Sequence, residues 1–126
     1  MIYLIDTHVL LWWLNGDGRL GKKTKKIIAK SRVLVSTAVI WEIVIKIKLG
    51  KLEIPGLVEE ALADNGFDTL DIKLKHVLAL DELPTHHSDP FDRIQIAQAR
   101  SEGMTLITAD RRILLYDEIR LIPADD

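Results

Sequence analysis

Five acids in this chain stand where a carboxylate could do chemistry. Asp6 closes the run MIYLID, and Asp110 closes TLITAD in the same relation. Glu42 is the only acid inside the apolar stretch AVIWEIVIKIKL, and Asp89 and Asp92 flank Pro90 and Phe91 in HHSDPFDRIQIAQA. Each has an ordinary use by itself. Asp89 before Pro90 is placed to cap a helix. Asp92, one turn further, would complement a helix dipole by about 0.3–1 kcal/mol. Glu42 can pair with Lys46 at i,i+4 spacing for roughly 0.2–0.5 kcal/mol, a small return for an acid set among Val39, Ile40, Trp41, Ile43 and Val44. Asp6 and Asp110 could be plain loop residues following strands.

Brought together, the same acids would raise one another's pKa, and the natural compensation is a hard divalent cation held by oxygen. Such an ion polarises a phosphoryl group and makes a bound water acidic, which is the chemistry of phosphodiester hydrolysis. Two ions about 3.5–4 Å apart would stabilise both the attacking and the leaving oxygens, and the sequence does not choose between one ion and two. The chain has no cysteine, so a metal can be held only by oxygen or imidazole, and neither a disulfide nor a thiolate nucleophile is available. Of the four histidines, His86 and His87 are adjacent but have no third nitrogen at zinc-ligand spacing. His8, two residues after Asp6, is expected near the acids, and His76 reads as an ordinary helix residue.

Convergence requires elements that carry the acids to one place. MIYLI reads as a short buried strand and THVLLWWLNGDG as a capped helix closing in a glycine turn. KKTKKIIAKS follows as a helix, RVLVST as a second strand, and Ala38 to Leu49 as a strongly apolar helix stopped by Gly50. A short helix over 57–65, a short strand or extended link in FDTLDI, and a helix over KLKHVLALDEL ended by Pro84 come next. The helix capped by Asp89 runs to Gly103. MTLIT is then a strand, RRILLY a last helical turn, and IRLI an edge strand. Short buried strands alternating with helices imply a parallel sheet covered on both faces, an α/β fold in which ligands gather beyond the carboxyl ends of the strands. Asp6 and Asp110 then share one sheet edge, with Asp92 in the first turn, and Glu42 one turn in, of helices that begin near it.

The 126 residues fit a single domain, 1–126, large enough to bury a core. Apolar residues make up 48% and charged residues 29%, with no low-complexity segment, which excludes a disordered chain. No signal-like segment precedes Asp6 and no apolar run approaches 20 residues, so a cytoplasmic protein without a membrane span is expected. A net charge of −2 argues against an overall basic nucleic-acid coat, but Lys22, Lys23, Lys25, Lys26 and Lys30 form a local patch, either a solvated helix face or a phosphate-binding surface. Trp12, Trp13 and Trp41 lie at apolar helical positions suited to core or subunit packing, and aromatics at 6% make a base-stacking platform a poor fit.

In order along nearly the whole chain, LIDTHVLLWWL, STAVIWEIVIKIKLGKLEIP, HHSDPFDRIQIAQA and GMTLITAD resemble the PIN-domain family, specifically VapC-like toxins of toxin–antitoxin pairs. The resemblance implies a three-layer α/β/α sandwich with a central parallel sheet. It implies a Mg²⁺- or Mn²⁺-dependent endoribonuclease, usually a homodimer, silenced by a cognate antitoxin. The family's acidic quartet falls on Asp6, Glu42, Asp92 and Asp110 as catalytic, metal-holding residues. Thr7 and Thr108 are secondary candidates beside them, and Asp89 is either the cap of the helix presenting Asp92 or an outer-shell assistant. Two other readings compete: a noncatalytic PIN-fold module binding RNA or protein, and a metal-dependent phosphatase working through an aspartyl phosphate. The second lacks the Asp-x-Asp expected after the first strand, since Asp6 is followed by Thr7 and His8.

Overall fold

Along the central strands, alternate side chains divide between two separate cores, as the two-residue period of a strand dictates when both sheet faces are covered. A computed structural model describes residues 1–126. Its strands are β1 (Ile2–Ile5), β2 (Arg32–Ser36), β3 (Asp68–Leu70), β4 (Thr105–Thr108) and β5 (Arg120–Pro123), all parallel, in the order β3-β2-β1-β4-β5. Ile5, Val33, Val35 and Ile107 face one core, which α1 (Thr7–Asn15), α2 (Lys22–Lys30), α3 (Thr37–Lys48) and α4 (Val58–Asp64) complete. Leu4, Leu34, Leu70 and Leu106 face the other, filled by Ile96, Ala97 and Ala99 of α6 (Pro90–Glu102). The short α5 (Leu74–Ala79) packs against α6. This is the expected three-layer α/β/α sandwich.

The strand order follows from the handedness of the crossovers. From β1 to β2 to β3 the chain steps outward with its helices on one face, and the return to β4 passes back beyond β1 with α5 and α6 on the opposite face. Direction therefore reverses between β1 and β4, which opens a crevice at their carboxyl ends. Ile5 pairs with Ile107 there, so Asp6 and the residues after Thr108 flank the crevice directly.

Local chemistry sets the helix starts at this edge. Asp6 accepts from the Val9 N–H (2.9 Å), Ser36 from Ala38 (3.1 Å), and Asp89 from Phe91 (2.8 Å) and Asp92 (3.1 Å). At the far end of α6, Gly103 takes φ 65°, a left-handed conformation that glycine adopts without a Cβ penalty. α2 rests the sheet's last strand on its own start: Gly21 N–H donates to Ala124 O (2.9 Å) and Thr24 Oγ1 to Pro123 O (3.2 Å).

Three details differ from the sequence expectation. The helix expected over KLKHVLALDEL stops at Ala79 and continues as a 3₁₀ turn, Leu80–Glu82. Pro84 forces Leu83 into extended backbone (φ −87°, ψ 136°), and Arg93 takes the Leu80 carbonyl at 3.3 Å. The turn in RRILLY is likewise 3₁₀, Ile113–Leu115. Of the two uses expected for Trp41, core or subunit packing, the core is ruled out: it is 59% exposed, its ring set edge-on to Phe91 with centroids 5.1 Å apart. Its helical position places it on the outer side of α3, and Trp12 and Trp13 pack at the margin of the first core. No helix is long and apolar enough to cross a membrane.

Candidate functional site

Asp6 enters the crevice because β1 ends one residue earlier while the ladder continues: its N–H donates to Ile107 O at 3.2 Å. The side chain is 2% exposed. Oδ1 caps α1, and Oδ2 accepts from the Thr108 hydroxyl and from Ala109 N–H at 3.2 Å. Burial raises its pKa above the ordinary carboxylate value, opposed by those hydrogen bonds and weakly by the charge of His8. The Thr108 hydroxyl also accepts from Asp110 N–H (3.0 Å), so one buried threonine links Asp6 to the turn that carries Asp110. Asp110 Oδ1 in turn accepts from Arg112 N–H (2.7 Å) and Ile113 N–H (3.3 Å), which fixes the carboxylate at the start of its 3₁₀ turn.

Asp92 reaches the same place from the first turn of α6. Its pKa is pushed up to about 7, first by burial, then by the charges of Asp89 and Asp6, with Asp110 adding and His87 opposing. His87 Nε2 lies 2.7 Å from Asp92 Oδ2 and 3.2 Å from Asp110 Oδ2. The ligand atoms of His87, Asp92 and Asp110 all lie within 4.8 Å of one another, close enough to hold one ion. Glu42 stands at the margin. Its Oε1 accepts from the Thr7 hydroxyl (2.7 Å), and its Oε2 pairs with Lys46 Nζ (2.9 Å), so both oxygens face donors of this chain. Of the expected quartet, then, Asp92 feels the charges of both Asp6 and Asp110, Asp6 is linked to the Asp110 turn through Thr108, and Glu42 bonds Thr7, the residue after Asp6. Asp89 caps α6 and adds its charge to the field at Asp92.

His87 is the residue that sequence reasoning missed. Weighed with His86 as a zinc ligand pair, it lacks partners, and His86 indeed turns away to set its ring against Tyr116 at 4.9 Å. The available signal was local: a residue two before a capped Asp-Pro helix start can fold back over the first turn. Arg93 and Tyr116, also unmarked by sequence, hold it there. Arg93 Nη1 donates to Pro84 O (2.9 Å), His87 O (3.2 Å) and Tyr116 Oη (3.3 Å). The Tyr116 hydroxyl donates to Pro84 O (2.9 Å) and accepts from His87 N–H (3.1 Å).

The converging oxygens are carboxylates with one imidazole beside them, and Asp92 is held back from its charged form first by burial and then by its acidic neighbours. Both features fit a hard divalent ion.

Three solved structures are similar to this fold over nearly all of both chains. VapBC2 from Rickettsia felis bound to a promoter DNA fragment has TM-score 0.69 and 17% identity, covering 98% of each chain. DNA-bound VapBC from Salmonella typhimurium has TM-score 0.67 and 14% identity, covering 98% of each. VapBC-1 from nontypeable Haemophilus influenzae has TM-score 0.63 and 16% identity, covering 100% of each. No curated protein matches the sequence significantly. The PIN domain family model matches residues 3–119 of the 126, and the chain belongs to the PIN-domain family.

Proposed function

We propose that this protein is a metal-dependent endoribonuclease, acting in the cytoplasm as the toxin of a toxin–antitoxin pair. The observation that supports the reading is the gathering of acids around Asp92 at the β1/β4 crevice, where burial first, and then the charges of Asp89, Asp6 and Asp110, push its pKa up to about 7. That is the charge pattern of a site built to take a cation. The similarity to VapBC structures supports the biological role.

In this reading Asp6, Asp92 and Asp110 hold Mg²⁺ or Mn²⁺, with Glu42 completing the acidic set. The ion, when bound, polarises the phosphodiester and lowers the pKa of a water. Thr108 keeps Asp6 oriented by donating to its Oδ2, and Thr7 does the same for Glu42. Asp89 acts by capping α6 and so placing Asp92. Exposed Lys22 and Lys23 at the start of α2, with Arg111 and Arg112 after Asp110, stand at the same end of the sheet and suit a phosphate backbone. The exposed apolar side chains of α3 and α5, among them Trp41, Val44, Leu74 and Leu78, support the two protein partners, a second copy and an antitoxin.

The test is cleavage of a cellular RNA pool with Mg²⁺ or Mn²⁺, with chelator, and with Asp6→Asn. Metal-dependent cutting lost in the variant is the expected result. Neither cutting nor metal binding by the wild-type protein would favour the noncatalytic binding module instead.

A further inference from the structure

His87 is buried among the proposed metal ligands, and the hydrogen bond at its other ring nitrogen fixes what it can do there. Nδ1 faces the Asp89 N–H at 3.4 Å while Nε2 faces two carboxylate oxygens, so the hydrogen-bond network assigns the ring proton to Nε2. Nε2–H then donates to Asp92 Oδ2 (2.7 Å), with Asp110 Oδ2 at 3.2 Å. Were Nε2 to bind an ion, the proton would have to move to Nδ1 and face the Asp89 N–H, donor against donor. Asp92 Oδ1, by contrast, accepts no hydrogen bond from the protein. Arg93 and Tyr116 fasten the backbone of the loop bearing His87 to Pro84 and Leu80.

From this geometry we infer that His87 is a positioning residue for the acid cluster: its Nε2–H holds Asp92 Oδ2 and bridges toward Asp110, leaving Asp92 Oδ1 to face the cation, and the imidazole is not itself a ligand. The inference rests on the metal-nuclease reading and adds an outer partner to it. Such partners orient the ligands, and their loss typically weakens metal binding about 10–100-fold.

The experiment measures Mn²⁺ affinity in the intact protein, together with the nitrogen environment of His87. Wild type, Asp6→Asn, His87→Ala and His87→Gln are titrated with Mn²⁺ calorimetrically, and thermal melts establish that each is folded. Glutamine can place an amide N–H near the position of Nε2–H, so it separates loss of the donor from loss of packing. The expected result is an affinity at least about tenfold weaker in His87→Ala and largely restored in His87→Gln. The ¹⁵N shifts of His87 should show Nε2 protonated and Nδ1 bare, both without metal and with Mg²⁺ bound. Wild-type affinity in His87→Ala, no rescue by His87→Gln, or nitrogen coupling from His87 to bound Mn²⁺ would each overturn the positioning role while leaving the metal site standing. If wild type and Asp6→Asn bind no Mn²⁺ at all, the metal-nuclease reading fails and this inference with it.

Discussion

Asp92 carries the sharpest expectation for a single side chain, because its burial and then its acidic neighbours work against its charge. Its folded-state pKa of about 7 stands above the ordinary 3.8. Below about pH 4 the group is protonated whether the chain is folded or not, and it does not affect stability. As pH rises toward 7 the unfolded chain releases the proton while the folded chain keeps it, so stability falls through that window and the penalty is complete above it. Asp92→Asn in the presence of chelator should therefore be about 1–3 kcal/mol more stable than wild type at pH 8 and nearly equal to it at pH 4, a range reduced from the full shift because the side chain remains partly exposed. Urea denaturation at the two pH values measures this. The same variant should lose RNA cleavage. Asp89 answers differently, since its main contacts are the cap bonds to Phe91 and Asp92: Asp89→Asn should keep most of the activity, while Asp89→Ala should lose roughly 1 kcal/mol of stability. Equal loss of activity in Asp92→Asn and Asp89→Asn would place Asp89 among the ligands.

Helices and strands were legible in the sequence where one local signal decided them. Apolar runs ending in Asp6 and Asp110 gave the two strands, and Asp89-Pro90 with Gly103 bracketed α6. Legibility failed where contacts from distant parts of the chain decided. KLKHVLALDEL has helical spacing throughout, but Arg93 of another element adds a donor to the Leu80 carbonyl, whose local bond is the 3₁₀ one from Leu83 N–H. Apolar spacing at Trp41 cannot distinguish a face that meets the core from one that meets a partner. Gly21 belongs with these cases, because nothing in LGKKTKK announces what lies against it. An added Cβ there would strike the backbone carbonyl carbons of Asp125 and Asp126, whereas at Gly18 it would meet nothing within 4 Å. Gly21→Ala should accordingly cost about 1–3 kcal/mol by pushing the start of α2 off the residues that follow β5, and Gly18→Ala should change stability by no more than about 0.5 kcal/mol. Thermal melts of the pair check this; equal melting temperatures would mean that Asp125 and Asp126 yield easily to the start of α2.

The whole molecule supplies the last link, because the candidate site exists only when the complete topology has formed. Asp6 and Asp110 are separated by most of the chain and meet through β1/β4 pairing, which needs the crossover through α5 and α6 to be in place. Asp92 rides on α6 itself. The acids could be inferred to share an edge from the strand-end rule, but the contribution of His87 could not, since it depends on a loop path fixed by Arg93 and Tyr116. An ion that needs all these pieces binds the folded chain and not the unfolded one, so metal binding and folding must be linked. At a hundred times its dissociation constant such an ion adds about 2.7 kcal/mol, which for a domain of this size corresponds to a rise in melting temperature of roughly 10 °C. Mn²⁺ should therefore raise the melting temperature of the wild-type protein at pH 8 by about that amount, chelator should reverse it, and Asp6→Asn should show little response. A shift of equal size in Asp6→Asn would place the bound ion away from the β1/β4 crevice and remove the observation on which the nuclease reading stands.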